Sequence, residues 1–303
     1  MPDLTAGPAI MDSEICMNII SHGHNTLSQG VESDPEVLRL RRELAEFPLG
    51  RFLLENLGLN GHWTSYVLLY PDKGRATATS SDGQPITELE SWLMDRCPIL
   101  RATQERFRIF RGLTQSRLRP GVSLASLPAG LMDDLLTLDY TQTPGVTLTA
   151  VDLDPETLGE AEQNFRQLNP PVDVTFEQKD AWQLCTEQRW DLLTSNGLNI
   201  YVDDDERCTD FYRSVWQALK PNGIFVFSFI TPADQWLPED PQDLEFQRFL
   251  FSKVIPVKWS CVRSEQTTRD QLAESGFTVE SICYDTQRMF PAVVARKKTQ
   301  ESQ

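Results

Sequence analysis

The chain is short of positive charge: 28 lysines and arginines stand against 44 aspartates and glutamates, a formal net charge of −16. That balance argues against nucleic acid or an anionic membrane as partner, because both are bound through basic side chains that neutralise phosphates. Arg101–Arg119 is one local basic stretch. Histidine is scarce, three in 303 residues, and the six cysteines (16, 97, 185, 208, 261 and 283) are far apart. They form no C-x-x-C pair from which to build a zinc site, and read as reduced, mostly buried thiols. No apolar run approaches the roughly 20 residues of a membrane span. The first residues, Met1 to Thr5, open neither a basic n-region nor a long apolar core. The expectation is a cytoplasmic protein. At 40% hydrophobic content the chain is able to bury a real core, as one large or two small domains.

Glycine is missing where a dinucleotide site would need it most. The first core strand, Gly121–Ser126, runs into Ser126-Leu127-Pro128-Ala129-Gly130. A pyrophosphate lies on bare backbone amides at a helix N-terminus and asks for three glycines. This turn has one glycine, and Pro128 has no amide hydrogen. A pyrophosphate cofactor is disfavoured, whereas a nucleoside with an amino-acid tail needs close backbone approach at one point, which Gly130 allows.

Three strand ends carry the remaining signal. Val146–Val151 is a short β-branched run ending on Asp152, with Leu153 and Asp154-Pro155 leading into a helix whose Leu158, Ala161, Phe165 and Leu168 form one stripe. A carboxylate at that edge of a parallel sheet suits the two hydroxyls of a ribose. Val172–Phe176 leads to Asp180-Ala181, where the acid can accept from an adenine amine; Trp182 either stacks on the base or covers the sheet. Leu192–Ser195 leads to Asn196-Gly197-Leu198-Asn199-Ile200-Tyr201. Asp203-Asp204-Asp205 resembles a metal cluster and reads better as a helix cap. Lys220-Pro-Asn-Gly223 then precedes the continuous apolar run Ile224–Ile230, a strand buried on both faces.

Around this centre, residues 1–33, with His22 and His24, lack any period and read as a tail. From Asp34-Pro35 an amphipathic pattern through Leu57 predicts a capped helix. Gly58–Tyr66 breaks the period with two glycines and gathers Asn60, His62, Trp63 and Tyr66; a turn with a packed tryptophan and a substrate-facing lid both fit. Lys73–Pro85 reads as a loop. Helical patterns resume over Ile86–Asp95 and Leu100–Leu118; Arg101 and Arg106 lie on the second, and a solvated basic face and a cation reaching a ligand carboxylate at the strand tips both fit. Residues 231–266 exceed a sheet crossover; an insertion over the cleft and a helix packed on the sheet edge are both open. A final pair of strands, Phe277–Cys283 and Phe290–Arg296, predicts an antiparallel hairpin at the edge.

Laid out this way, residues 120–298 resemble a class I S-adenosylmethionine-dependent methyltransferase. Five motifs in order carry the resemblance: the Ser126–Met132 turn, where only Gly130 fits the family's acidic residue and G-x-G-x-G; Val151-Asp-Leu-Asp-Pro155 with Leu158-x-x-Ala161; Asp180-Ala181; Asp191–Asn196; and Leu219-Lys-Pro-Asn-Gly223. The resemblance implies a doubly wound α/β fold, a seven-stranded mostly parallel sheet in order 3-2-1-4-5-7-6 with one antiparallel edge strand. Residues 34–119 would then form a helical lid, 231–266 an insertion, and 299–303 a tail. It also implies S-adenosylmethionine as cofactor, held by Arg106, Ser126, Pro128, Ala129, Gly130, Asp152, Leu153, Asp180, Ala181, Asn196 and Gly197. Methyl transfer needs positioning more than a triad or a metal, and a base only for an acceptor that must lose a proton. His62 is the leading base candidate, with Asn199 and Tyr201 lining the cleft. The aromatic-rich lid and acidic surface favour a small, partly apolar acceptor; oligomeric state has no signature here. Two rivals stand beside this reading: a methyltransferase-like interaction protein with weak or no catalysis, and a nicotinamide-dependent oxidoreductase, which the missing glycines disfavour.

Overall fold

The computed structural model describes residues 34–257 and 261–298. The two tails, with His22 and His24, and Trp259 lie outside the described residues. Seven strands form one sheet: β1 (Ser123–Ser126), β2 (Thr147–Asp152), β3 (Asp173–Gln178), β4 (Trp190–Ser195), β5 (Leu219–Ser228), β6 (Phe277–Cys283) and β7 (Ala292–Lys297). Their order is β3-β2-β1-β4-β5-β7-β6, as expected. The first five pair in parallel, while β7 runs antiparallel to both β5 and β6. The reversed strand therefore lies one place in from the edge, and β6 is the edge.

Helices cover both faces of the sheet, so the central strands are buried on both sides. On one face, α7 (Pro155–Leu168) sets Leu158 and Ala161 against Leu148, Ala150 and Leu192, joined by the short α6 (Asp133–Leu136). On the other, α8 (Asp205–Ala218) and α10 (Glu265–Glu274) bury Phe211, Tyr212, Val215 and Leu272 against Phe225 and Phe227. Asp204 caps α8 by accepting from the amides of Glu206 and Arg207, and Asp205 pairs with Arg263 at 2.8 Å. The acidic run is a cap, as its first-turn position suggests; no metal-holding group of three or more acidic, histidine or cysteine side chains occurs among the described residues.

The N-terminal extension departs from the sequence pattern in two places. The stretch expected as one helix is two, α1 (Pro35–Leu44, capped by Asp34) and α2 (Pro48–Asn56). Phe47 is extended before Pro48, whose ring excludes a helical residue ahead of it and which takes the first position of the next helix. The stretch Gly58–Tyr66 is mostly helix: α3 spans Gly61–Lys73, and the Asn60 side chain accepts from the Trp63 amide at 3.0 Å. Two more helices follow, α4 (Glu88–Asp95) and α5 (Pro98–Gln115).

These helices share a core with Ile200, Ile230, Met289 and Phe290, which stand at the C-terminal tips of the parallel strands, and with Leu244, Leu250 and Phe251 of the 231–266 segment. In that segment α9 (Pro241–Phe249) braces the extension. Asp243 accepts from Trp92 Nε1 at 2.8 Å and from Arg96 at 2.8 and 3.1 Å, and Gln247 Oε1 accepts from the Ile99 amide at 2.7 Å.

Candidate active site

A cavity of about 550 Å³ opens between the strand tips and the N-terminal helices. Its floor is Ser126 at the tip of β1, Pro128, Ala129 and Gly130 after it, Asp152 at the tip of β2, and Asn196 and Gly197 after β4. Its roof is Phe52 and Asn56 of α2, the turn Leu57–Asn60, Gly61, Thr64, Ser65 and Leu68 of α3, and Ile99, Leu100, Thr103, Arg106 and Phe107 of α5; Ile200, Tyr201 and Phe290 close one side. Among the described residues, none of the 231–266 segment lines it. The expected insertion over the cleft is thus a brace behind the roof.

Asp152 is buried, and both its oxygens face backbone donors: Oδ2 accepts from the Gly130 amide and Oδ1 from the Asp154 amide, each at 3.1 Å. Each carboxylate oxygen keeps a further lone pair for a ligand hydroxyl. Burial pushes this carboxyl above its usual pKa, while the amides work against that shift. Gly130 is in the left-handed region, φ 49°, which holds its amide toward Asp152. Asp154 has the separate role of capping α7, accepting from the Glu156 and Thr157 amides.

Arg106 projects from α5 into the cavity and is 4% exposed. Its Nη1 donates to Ser228 Oγ at 3.1 Å, and the guanidinium lies 4.9 Å from the centre of the Phe290 ring. Its Nε has no partner. Burial pulls its pKa down to about 10, with Asp285 acting in the opposite sense. Gly197, φ 100°, brings bare backbone beneath it; a Cβ there would stand 3.7 Å from Nη1. Asn196 also lines the cavity, and its Oδ1 is buried with no partner. Arg101, by contrast, points outward into an ion pair with Glu239.

Other expected site residues are placed elsewhere. His62 is exposed, edge-on to Trp63 at 5.0 Å, and is not among the lining residues. Asn199 is turned into the protein: its Nδ2 donates to the Tyr212 hydroxyl at 3.2 Å. Tyr201 does line the cavity with the residue as a whole 38% exposed, and desolvation of its hydroxyl pushes its pKa up to about 12. Leu153, 49% exposed, Asp180 and Ala181 lie beyond the lining. Asp180 Oδ1 accepts from the Trp182 amide at 2.9 Å. Trp182 covers the sheet flank, donating to the Arg207 carbonyl at 2.8 Å with that guanidinium 4.6 Å from its ring centre.

Three contributors carry no sequence motif. Arg263, buried, donates to the carbonyls of Asn199 at 2.9 Å and Val202 at 2.6 Å, fixing the segment that carries Tyr201. Asp285 accepts from the amides of Gln287, Met289 and Phe290, fixing the Phe290 wall. Asp134 lines the cavity beside Asp133, and burial pushes its carboxyl up to about 6.

Residues 135–223 match the family model of a methyltransferase domain. No curated protein matches the chain. Among solved structures, a possible exported protein from Bordetella parapertussis is 40% identical, with 87% of each chain covered and a TM-score of 0.79. Magnesium protoporphyrin IX methyltransferase from Synechocystis PCC 6803, solved with bound S-adenosylhomocysteine, shares the fold at a TM-score of 0.52, with 12% identity over 78% of this chain and 98% of that one. With five ordered motifs on a sheet of this order and a nucleoside-sized cavity at its strand tips, the chain belongs to the class I methyltransferases and takes S-adenosylmethionine as its cofactor.

Proposed function

We propose that the protein transfers the cofactor's methyl group to a small, partly apolar acceptor by in-line displacement. One observation carries this reading: a single cavity joins the polar strand-tip floor to a largely apolar roof. The residues present fit the cofactor. Asp152 has lone pairs for both ribose hydroxyls, and the unpartnered Nε of Arg106 suits the carboxylate of the amino-acid tail. Asp180 and Ala181, at the exit of the neighbouring strand, are assigned to the adenine edge, with Leu153 beside them.

S-adenosylmethionine supplies a methyl group already activated by its sulfonium, so the chain's own residues position the acceptor and exclude water. Phe52, Leu57, Leu59, Ile99, Leu100 and Phe107 form the apolar wall for that purpose. Tyr201 stays protonated at neutral pH and orients the acceptor as a hydrogen-bond donor. His62 is exposed and outside the cavity lining, so no base role is proposed for it. No helix among the described residues is long and apolar enough to cross a membrane. Cys97, Cys185, Cys208 and Cys283 carry free thiols, which supports a cytoplasmic location.

The test is transfer of label from methyl-tritiated S-adenosylmethionine to fractions of a cell extract. Label in the small, organic-extractable fraction supports the proposal. Label confined to nucleic acid or protein contradicts it.

A further inference from the structure

The cavity wall carries three carboxylates, Asp133, Asp134 and Asp152, against one guanidinium, Arg106, among the described residues. Asp152 is held by backbone amides, and Asp133 Oδ1 accepts from Asn164 Nδ2 at 3.2 Å on the α7 side. Asp134 takes the Leu135 amide and, unlike Asp152, two side-chain hydroxyls, all of them neutral donors. It is 4% exposed and sits over the tips of β1 and β4, where Ser126 Oγ donates to it at 3.2 Å and Thr194 Oγ1 at 2.6 Å. Hydroxyls leave a formal charge uncompensated, and a buried uncompensated carboxylate is costly. Its charged neighbour is another acid, Asp133.

A second, independent feature points the same way. Asn196, on the same wall at the end of β4, has a buried side-chain carbonyl oxygen with no donor. A carboxylate and an unpaired carbonyl together suit a cation with several N–H donors, which is an ammonium. The guanidinium of Arg106, which reaches down from α5 to the backbone of Gly197 next to Asn196, suits the carboxylate that shares a carbon with that ammonium in an amino acid.

We infer that Asp134 and Asn196 receive the α-ammonium of the cofactor's amino-acid tail. A carboxylate supplied eight residues downstream thereby stands in for the acid that Ser126 replaces at the end of β1. The inference rests on the cofactor placement proposed above. It makes Asp134 a binding and positioning residue, with no proton transfer assigned to it.

Calorimetric titration of wild type, Asp134→Asn and the relocated pair Ser126→Asp/Asp134→Asn tests it, using S-adenosylhomocysteine and 5′-methylthioadenosine, which lacks the amino-acid carbons. Asp134→Asn should weaken S-adenosylhomocysteine about tenfold or more, as loss of a charged hydrogen bond does. It should leave 5′-methylthioadenosine within about twofold and should not lower the melting temperature of the ligand-free protein, since it removes a buried charge. The relocated carboxylate should restore part of the loss. Equal losses for both ligands, or no loss for either, would overturn the inference while the cofactor placement stands on wild-type binding. If wild type binds neither ligand, the cofactor placement fails and takes the inference with it. If Asp134→Asn does not fold, Asn196→Ala replaces it, because its side-chain oxygen has no partner to lose. A loss confined to S-adenosylhomocysteine then supports the inference, and equal or absent losses overturn it.

Discussion

Arg106 and Arg101 lie on one helix and have opposite roles, set by which way each points. Arg106 is buried and lines the cavity, and Arg101 is spent on a surface ion pair with Glu239. Arg106→Ala should therefore weaken S-adenosylhomocysteine by about 1.5–3 kcal/mol, tenfold or more, whereas Arg101→Ala should leave affinity unchanged; calorimetry on both distinguishes them. The sequence offers both arginines and has no means of choosing, because the phase of a helix against a sheet is fixed by packing that no local period records. His62 stands out by scarcity alone, and scarcity says nothing about direction. Asp134 is invisible in the sequence for another reason: its partner Thr194 is 60 residues away and meets it only once β1 and β4 pair. That carboxyl also has a pH signature. Its pKa is about 6 in the folded chain against roughly 3.9 in an unfolded one, so between those values the folded state holds the proton. Its contribution to stability is full below the unfolded value and is lost as pH rises through about 6. Asp133, Asp152, Glu90 and Asp285 are also shifted upward by burial and act in the same sense. The melting temperature of ligand-free protein should fall between about pH 4 and 6, and Asp134→Asn should flatten that fall.

At the scale of elements, the central strands and their order are legible because they carry marked residues: Asp152 at the tip of β2, Asn196-Gly197 after β4, and Asn222-Gly223 near the start of β5. The cap at Asp34-Pro35 is equally plain and holds. α3 is not, since Gly58 and Gly61 interrupt the apolar period while the feature that starts the helix, Asn60 capping Trp63, is a single side chain. The 231–266 segment shows in the sequence as extra length, but its destination depends on a buried hydrogen-bond set that only the tertiary structure assembles. Asp243 is the centre of that set, joining Trp92 and Arg96 to α9. Asp243→Ala strands the buried Trp92 N–H and should cost about 1–3 kcal/mol of stability. Because α9 does not line the cavity, affinity for S-adenosylhomocysteine at a temperature well below melting should be unaffected. A drop in affinity equal to that of Arg106→Ala would show that the segment shapes the cavity directly.

For the whole molecule, the division of labour follows the sheet. The strand tips supply the polar floor that suits a nucleoside and an amino-acid tail, and the N-terminal helices supply an apolar roof. The nicotinamide reading is disfavoured because the β1 turn has one of the three glycines a pyrophosphate asks for. The sparseness of that same turn does not forbid a cofactor site, because Gly130 and Asp152 still meet through an amide to carboxylate bond. All of this turns on Asp152, whose lone pairs are assigned to the ribose. Calorimetric titration of wild type and Asp152→Ala with S-adenosylhomocysteine is the most direct measurement. Saturable binding by wild type is predicted, with a loss of about 2–4 kcal/mol, thirtyfold or more, in a variant that still folds. Binding by Asp152→Ala as tight as wild type would contradict the assignment, as would a wild type that does not bind at all.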